Sequence, residues 1–190
     1  PQHGQPQARL LYRVAHEEEG ETEVLLTLGA KGKHVEVGGA AVPRLADFLG
    51  RFPTVTLSSA DIQLLRAGPG HRRRWMDLVL ASRDPGYYLA LSRYTRALRD
   101  RNRLLKERAP AASLAAFERP LAEAGATLVA IRRRELAILA DGVARHYAQL
   151  AGPADAPALA YRPHRAWESA EDAVAKLQSQ RGRDQAMGTT

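Results

Sequence analysis

Between Asp84 and Arg108 the apolar residues recur at helical spacing, and this stretch constrains the chain more than any other. At about 100° per residue, Tyr87, Leu91, Tyr94, Leu98 and Leu105 fall in one narrow stripe. Arg93, Arg96, Arg99, Arg103 and Lys106 fall opposite. Asp84 can cap such a helix and Pro85 suits its first turn, where no backbone N–H is needed. One face must therefore pack while the other stays cationic. Arg101 and Asn102 flank the packing stripe, so polar groups sit at the edge of whatever the helix buries and need partners.

The charge distribution singles out the same element. The net charge is +7, and residues 72–108 hold eleven basic and four acidic side chains, which accounts for all of it. An acidic partner would be drawn here. Aromatic stacking on unpaired bases has little support, because Tyr87 and Tyr94 sit on the packing stripe and not among the arginines.

A second amphipathic stretch follows the Ala/Pro-rich break at 109–112. From Leu121 to Leu150 the residues Leu121, Leu128, Leu139, Val143, Tyr147 and Leu150 share a face. Two such helices joined by a short break predict an antiparallel hairpin. Arg132 projects from the middle of the second apolar face, unlike Arg133 and Arg134, and is expected to be paired with a carboxylate.

The N-terminal third has a different period. Arg9–Ala15 and Glu23–Gly29 are β-rich around the solvated HEEEGE turn, and His34–Val37 alternates after the GAKGK turn until Gly38-Gly39 closes it. Pro43–Gly50 fits one short helix and Thr54–Leu57 a fourth strand. Ser59 is a candidate N-cap for 61–66, Gly68-Pro69-Gly70 is a hard break, and a helix should run from about His71 to Ser82. After Gly152–Pro157, Ala158–Arg162 reads as a short strand and Glu168–Gln180 as a last helix. The fold class is α+β: antiparallel strands over about 8–57, then a mainly helical arm with a long antiparallel hairpin.

Several chemistries have no footing. With no cysteine there are no disulfides, thiol nucleophiles or thiolate metal sites, which is compatible with a reducing cytoplasm. No apolar run is long enough to cross a bilayer and no signal segment opens the chain, so a non-membrane, cytoplasmic protein is expected. GAKGKH only superficially resembles a phosphate loop, which has four residues between its glycines and ends Gly-Lys-Ser/Thr before a helix. A strand follows here, so a hairpin turn is the better reading. The six histidines show no metal-ligand spacing, and Ser58, Ser59 and Ser113 lack nucleophile-elbow glycines.

Residues 57–106 also carry a resemblance. LSSADIQLLRAGPGHRRRWMD followed by DPGYYLALSRYTRALRDRNRLLK is similar to the RecF family block: a Ser-Pro-Glu-Asp-Leu-like turn, a Gly-x-Pro break, an Arg-Arg-x-x-x-Asp helix and a Tyr-rich helix ending Gln-Arg-Asn-x-Leu-Leu-Lys. Weaker similarity extends upstream through VEVGGAAVPRLADFLGRFPTVTLS and downstream through Gly125, Arg132 and RGRDQAMGTT. The chain departs from the pattern at Ser59-Ala60, Trp75-Met76 and Asp100.

The resemblance implies an internal piece of an SMC-like ABC ATPase of DNA replication, recombinational repair and the SOS response. Residues 1–68 would end its N-terminal ATPase lobe, 69–152 would be the helical arm, and 153–190 would return towards the C-terminal lobe. Asp61, Arg73, Arg74 and Asp77 would couple nucleotide to arm, while Arg73 to Asp77 could equally be a helix-surface ion pair. Arg93, Arg96, Arg99, Arg103 and Lys106 would contact DNA, with Arg101, Asn102 and Arg132 structural. The implied partners are duplex or gapped DNA, a second copy brought together by ATP, and recombination-mediator proteins. ATP and Mg belong to the full-length family. Its phosphate loop would precede this chain, and its signature and acidic motifs would follow it. The chain alone is therefore expected neither to bind ATP tightly nor to hydrolyse it; ATP turnover by the purified chain above a no-protein blank would contradict this.

Overall fold

A computed structural model describes residues 5–17, 20–30, 32–152, 157–165 and 167–190. The expected turns at 16–21 and 29–33 and the arm end at 152–157 each include residues outside those described. The chain divides into two compact units, Pro1–Leu57 and Ser58–Thr190. The division falls where the hydrophobic period changes, ahead of the glycine break at 68.

The first unit is a four-stranded antiparallel meander, β1 (Gln7–His16), β2 (Gly20–Gly29), β3 (Gly32–Val37) and β4 (Ala40–Ala41), in sequential order. Val24 stands opposite Val37 and Leu26 opposite Val35, so one face collects the buried Val24, Val35 and Val37, with Val14, Val42, Phe48 and Phe52 packed against them. Gly38 and Gly39 join β3 to β4 with φ of 57° and 78°. A two-residue hairpin loop with both φ positive suits glycine.

Thr54–Leu57 does not form the expected strand. Val55 is 101% and Leu57 89% exposed, and no described strand lies beside them to complete a ladder. The expected helix over 43–50 shrinks to one 3₁₀ turn at Leu45–Asp47.

The second unit is helical: α1 (Gln63–Arg66), α2 (Pro69–Arg83), α3 (Pro85–Lys106), α4 (Ala111–Ala151), α5 (Ala170–Ser179) and α6 (Arg181–Met187). A 3₁₀ turn at Ser59–Ile62 precedes α1, and its cap is Ser58, not Ser59: the Asp61 carboxylate accepts from the Ser58 N–H and hydroxyl. Asp84 caps α3 by accepting from the Gly86 N–H at 2.8 Å. Ala158–Arg162 is irregular, not a strand.

Helices α3 and α4 form the antiparallel hairpin. Arg101 meets Glu118 near the connection and Tyr87 meets Arg132 far from it. The start of α3 is level with Arg134, whose Nη2 lies 3.9 Å from Asp84 Oδ2. The helices have 22 and 41 residues, so α4 outruns its partner. Val143, Tyr147 and Leu150, expected on the packing face, are accordingly 39%, 38% and 88% exposed. Pro120 sits inside α4 without breaking it. Having no N–H, it leaves the Ala116 carbonyl without its intrahelical donor.

The segment beyond the arm packs back onto the hairpin. Trp167, Ala173 and Leu177 join Ala97, Leu121 and Ala122 in one buried cluster, with Tyr94 at 6.4 Å between ring centroids from Trp167. The described residues from 157 to 190 are thus integral to the helical unit, because their apolar stripe closes its core. Gly125 permits this: a Cβ there would lie 2.0 Å from Trp167 Cζ3. Gly125→Ala should therefore destabilise the helical unit by about 2–3 kcal/mol through overpacking, read as a lower urea midpoint by far-UV circular dichroism.

Candidate functional site

The outer face of α3 carries Arg93, Arg96, Arg99, Arg103 and Lys106, all exposed. Among the described residues Arg93, Arg96, Arg99 and Lys106 form no ion pair, and Arg103 reaches only Asp100, at 4.0 Å. Spacings of three and four residues keep these groups on one side of the helix, so their charges make a stripe along its axis. Arg99, Asn102, Arg103 and Lys106 line a shallow depression of about 620 Å³ with Thr95, Leu98 and Glu107. A polyanion lying along α3 would meet a row of charges of which only Arg103 has a carboxylate, Asp100, within 4.0 Å.

Beneath this face lies Arg101, completely buried. Its Nη1 donates to Asp184 Oδ2 at 2.8 Å and to Thr190 Oγ1 at 2.8 Å; its Nη2 donates to Glu118 Oε1 and the Leu177 carbonyl, both at 3.3 Å. Glu118 and Asp184 are each 1% exposed. Arg181 donates from Nε and Nη2 to the two oxygens of Glu118, and this pairing holds the Arg181 proton more tightly than usual. Arg165 lies 3.7 Å from Asp184. Three guanidinium groups thus surround two carboxylates and tie α3, α4, α5 and α6 together. Asn102 completes the corner, its Oδ1 accepting from the Thr190 N–H at 2.9 Å and hydroxyl at 2.7 Å.

At the other end of the hairpin Arg132 Nη2 donates to Asp77 Oδ1 at 2.7 Å, and its Nε donates to the Tyr87 hydroxyl at 2.8 Å. Tyr87 in turn donates to Asp77 Oδ1. Burial pushes the Tyr87 proton affinity well above its ordinary value, and the hydrogen bond to Asp77 adds to this. Burial works against the charge on Arg132, but Tyr87, Tyr161 and Asp77 more than offset it. One cluster therefore joins α2, α3 and α4.

The GAKGKH turn is not a nucleotide cradle, since β2 ends at Gly29 and β3 begins at Gly32, leaving a strand where a phosphate loop has a helix. Among the described residues no group of three or more His, Asp or Glu could hold a metal ion, and no described helix is long and apolar enough to cross a membrane.

No protein-family model matches the chain. Among curated proteins it is 41% identical over 142 residues to the DNA replication and repair protein RecF of Geobacter metallireducens, covering 75% of this chain and 39% of that one. It is 34% identical over 165 residues to RecF of Porphyromonas gingivalis, covering 85% and 45%. The chain belongs to the RecF family. It spans less than half the length of these relatives. A solved structure of the recombination mediator protein RecF with ATPrS, from the RecFOR pathway, superposes over 98% of this chain and 53% of that one with a TM-score of 0.84 at 23% identity, so the fold is shared.

Within the RecF-like block, the structure separates the residues expected to couple nucleotide to arm. Asp61 closes the turn before α1, and Arg73 and Arg74 are exposed on α2. Asp77 faces inward to Arg132 and Tyr87, not along α2 to Arg73. Arg72 donates to the Ala67 carbonyl at 2.9 Å, fixing α1 against α2. Sequence reasoning missed Glu118, Arg165, Arg181 and Asp184. Glu118 had a signal: it lies four residues after Leu114 and three before Leu121, within an apolar stripe. Asp184 had none. Replacing Arg101 with Met leaves two buried carboxylates short of a cation and should cost about 3–5 kcal/mol. A denaturation series on Arg101→Met, Asp184→Asn and the double variant should show strong coupling between the two sites.

Proposed function

We propose that this chain is the arm-bearing segment of a RecF-type ATPase of DNA replication and recombinational repair, and that the outer face of α3 contacts DNA phosphates. The observation that carries this reading is the row of exposed cations Arg93, Arg96, Arg99, Arg103 and Lys106 on a helix whose inner arginine is compensated by buried carboxylates. Phosphate neutralisation is sequence-independent and needs only such a row. It suits duplex or gapped DNA, since Tyr87 and Tyr94 on α3 are turned inward. In the longer family protein, ATP with Mg would close a dimer around DNA and the arm would help recruit recombination mediators and recombinase.

The second reading makes the arm chiefly a protein-docking element for dimer closure or mediator binding. The exposed Ile138, Val143, Tyr147 and Leu150 on the overrunning half of α4 favour it.

Titration of duplex and gapped DNA at several salt concentrations separates the two. Reversing Arg99 and Arg103 to Glu should weaken binding alike on all sequences and flatten the salt slope by about one for each phosphate no longer neutralised. Affinity and slope indifferent to the reversal would remove the phosphate role, and failure of mediator binding alone would favour docking.

A further inference from the structure

Helices α3 and α4 leave a groove of about 530 Å³ between residues 86–100 of α3 and residues 116–127 of α4. Its floor is apolar, with Leu89, Ala90, Ala97, Phe117, Pro120 and Ala124. Leu89 is 51% exposed, so water covers a side chain that the hairpin does not itself bury. Two arginines and two carboxylates line it, and they differ in their partners. Among those lining it, Asp100 and Glu123 already have arginines outside the groove, Arg103 at 4.0 Å and Arg119 at 3.0 Å. Arg93 and Arg96 have no carboxylate among the described residues. The groove also contains Ala116, whose carbonyl is deprived of its helical donor by Pro120.

We infer that this groove docks an amphipathic helix with acidic flanks, contributed by a protein partner. Two antiparallel helices present the seat for a third, whose apolar residues at i, i+3, i+4 and i+7 would cover Leu89 and Phe117. Carboxylates on its flank would meet Arg93 and Arg96, and a side-chain donor would satisfy Ala116. A basic or neutral helix of the same shape would leave the two arginines facing like charge or nothing. The volume suits two or three anchoring side chains, and the arginine rim sets which helices are accepted. Arg93 and Arg96 are shared with the row proposed to face DNA, so a docked helix should lower duplex affinity about as much as reversing those two residues.

The chain has no cysteine, so Thr127→Cys at the groove's end can carry a single environment-sensitive fluorophore. The probes are synthetic amphipathic peptides of about 16 residues, a length sufficient for the i to i+7 anchors: one with Leu anchors and Glu flanks, one with Lys flanks, and one scrambled. The acidic peptide should bind saturably, with the other two at least about tenfold weaker, or about 1.4 kcal/mol. Leu89→Asp and the Arg93→Glu/Arg96→Glu pair should each weaken it by at least about tenfold as well; both changes are at exposed positions, and circular dichroism checks that the fold is kept. Absence of acidic-peptide binding, equal binding of the scrambled peptide, or indifference to both variants would overturn the inference. So would a fluorescence change produced only by an oligonucleotide, or only by raising the concentration of the chain itself. Saturable binding of the acidic peptide by a chain that fails to bind DNA would support the groove and count against the DNA reading alone.

Discussion

The burial of Arg101 governs the helical unit. A fully desolvated guanidinium is tolerable only with carboxylates and carbonyls around it, and here they come from three other helices: Glu118 on α4, the Leu177 carbonyl on α5 and Asp184 on α6. Apolar packing alone is tolerant of small shifts between helices, whereas a buried charge with five donors to place accepts only a narrow range of positions. The cluster therefore fixes the register of α6 against α3, as the Asp77–Tyr87–Arg132 cluster fixes α2 at the opposite end. Between these two polar clamps the hairpin is held by size, with Gly125 making room for Trp167.

Much of this was legible in the sequence. Period two before residue 57 and period 3.6 after it give the two units, and the Tyr/Leu stripe gives α3 within a residue or two of its ends. Arginines at 101 and 132 lie on or beside apolar faces, so each had to find a partner before its identity could be known. What stayed hidden was non-local. The carboxylates for Arg101 lie 17 and 83 residues away, on a helix whose interior proline obscures its start and on one too short to show a period. The strand expected at 54–57 failed for a related reason: β-branched residues favour a sheet only where a neighbouring strand exists.

The hairpin's unequal lengths also separate its surfaces. Where α3 and α4 overlap, inward groups are buried or paired and the outer face of α3 is cationic. Where α4 outruns α3, Val143, Tyr147 and Leu150 of the face expected to pack are left open, whereas Leu136 is still buried. One helical hairpin therefore presents a charged surface and an apolar surface at different positions along its length, and the length difference keeps them apart.

The two sets of arginines on α3 follow different physics although they lie only two residues apart in sequence. Arg101 is surrounded by low-dielectric core and has its charge compensated before any ligand arrives. Arg99 and Arg103, turned to the other side, keep their hydration and their positive field. A substitution at 101 is felt by the fold, and one at 99 or 103 by whatever approaches from solvent. This division keeps an electrostatic surface separable from stability, so charge reversal on the outer face can be interpreted as a change in binding while the buried cluster keeps the helix beneath it in place.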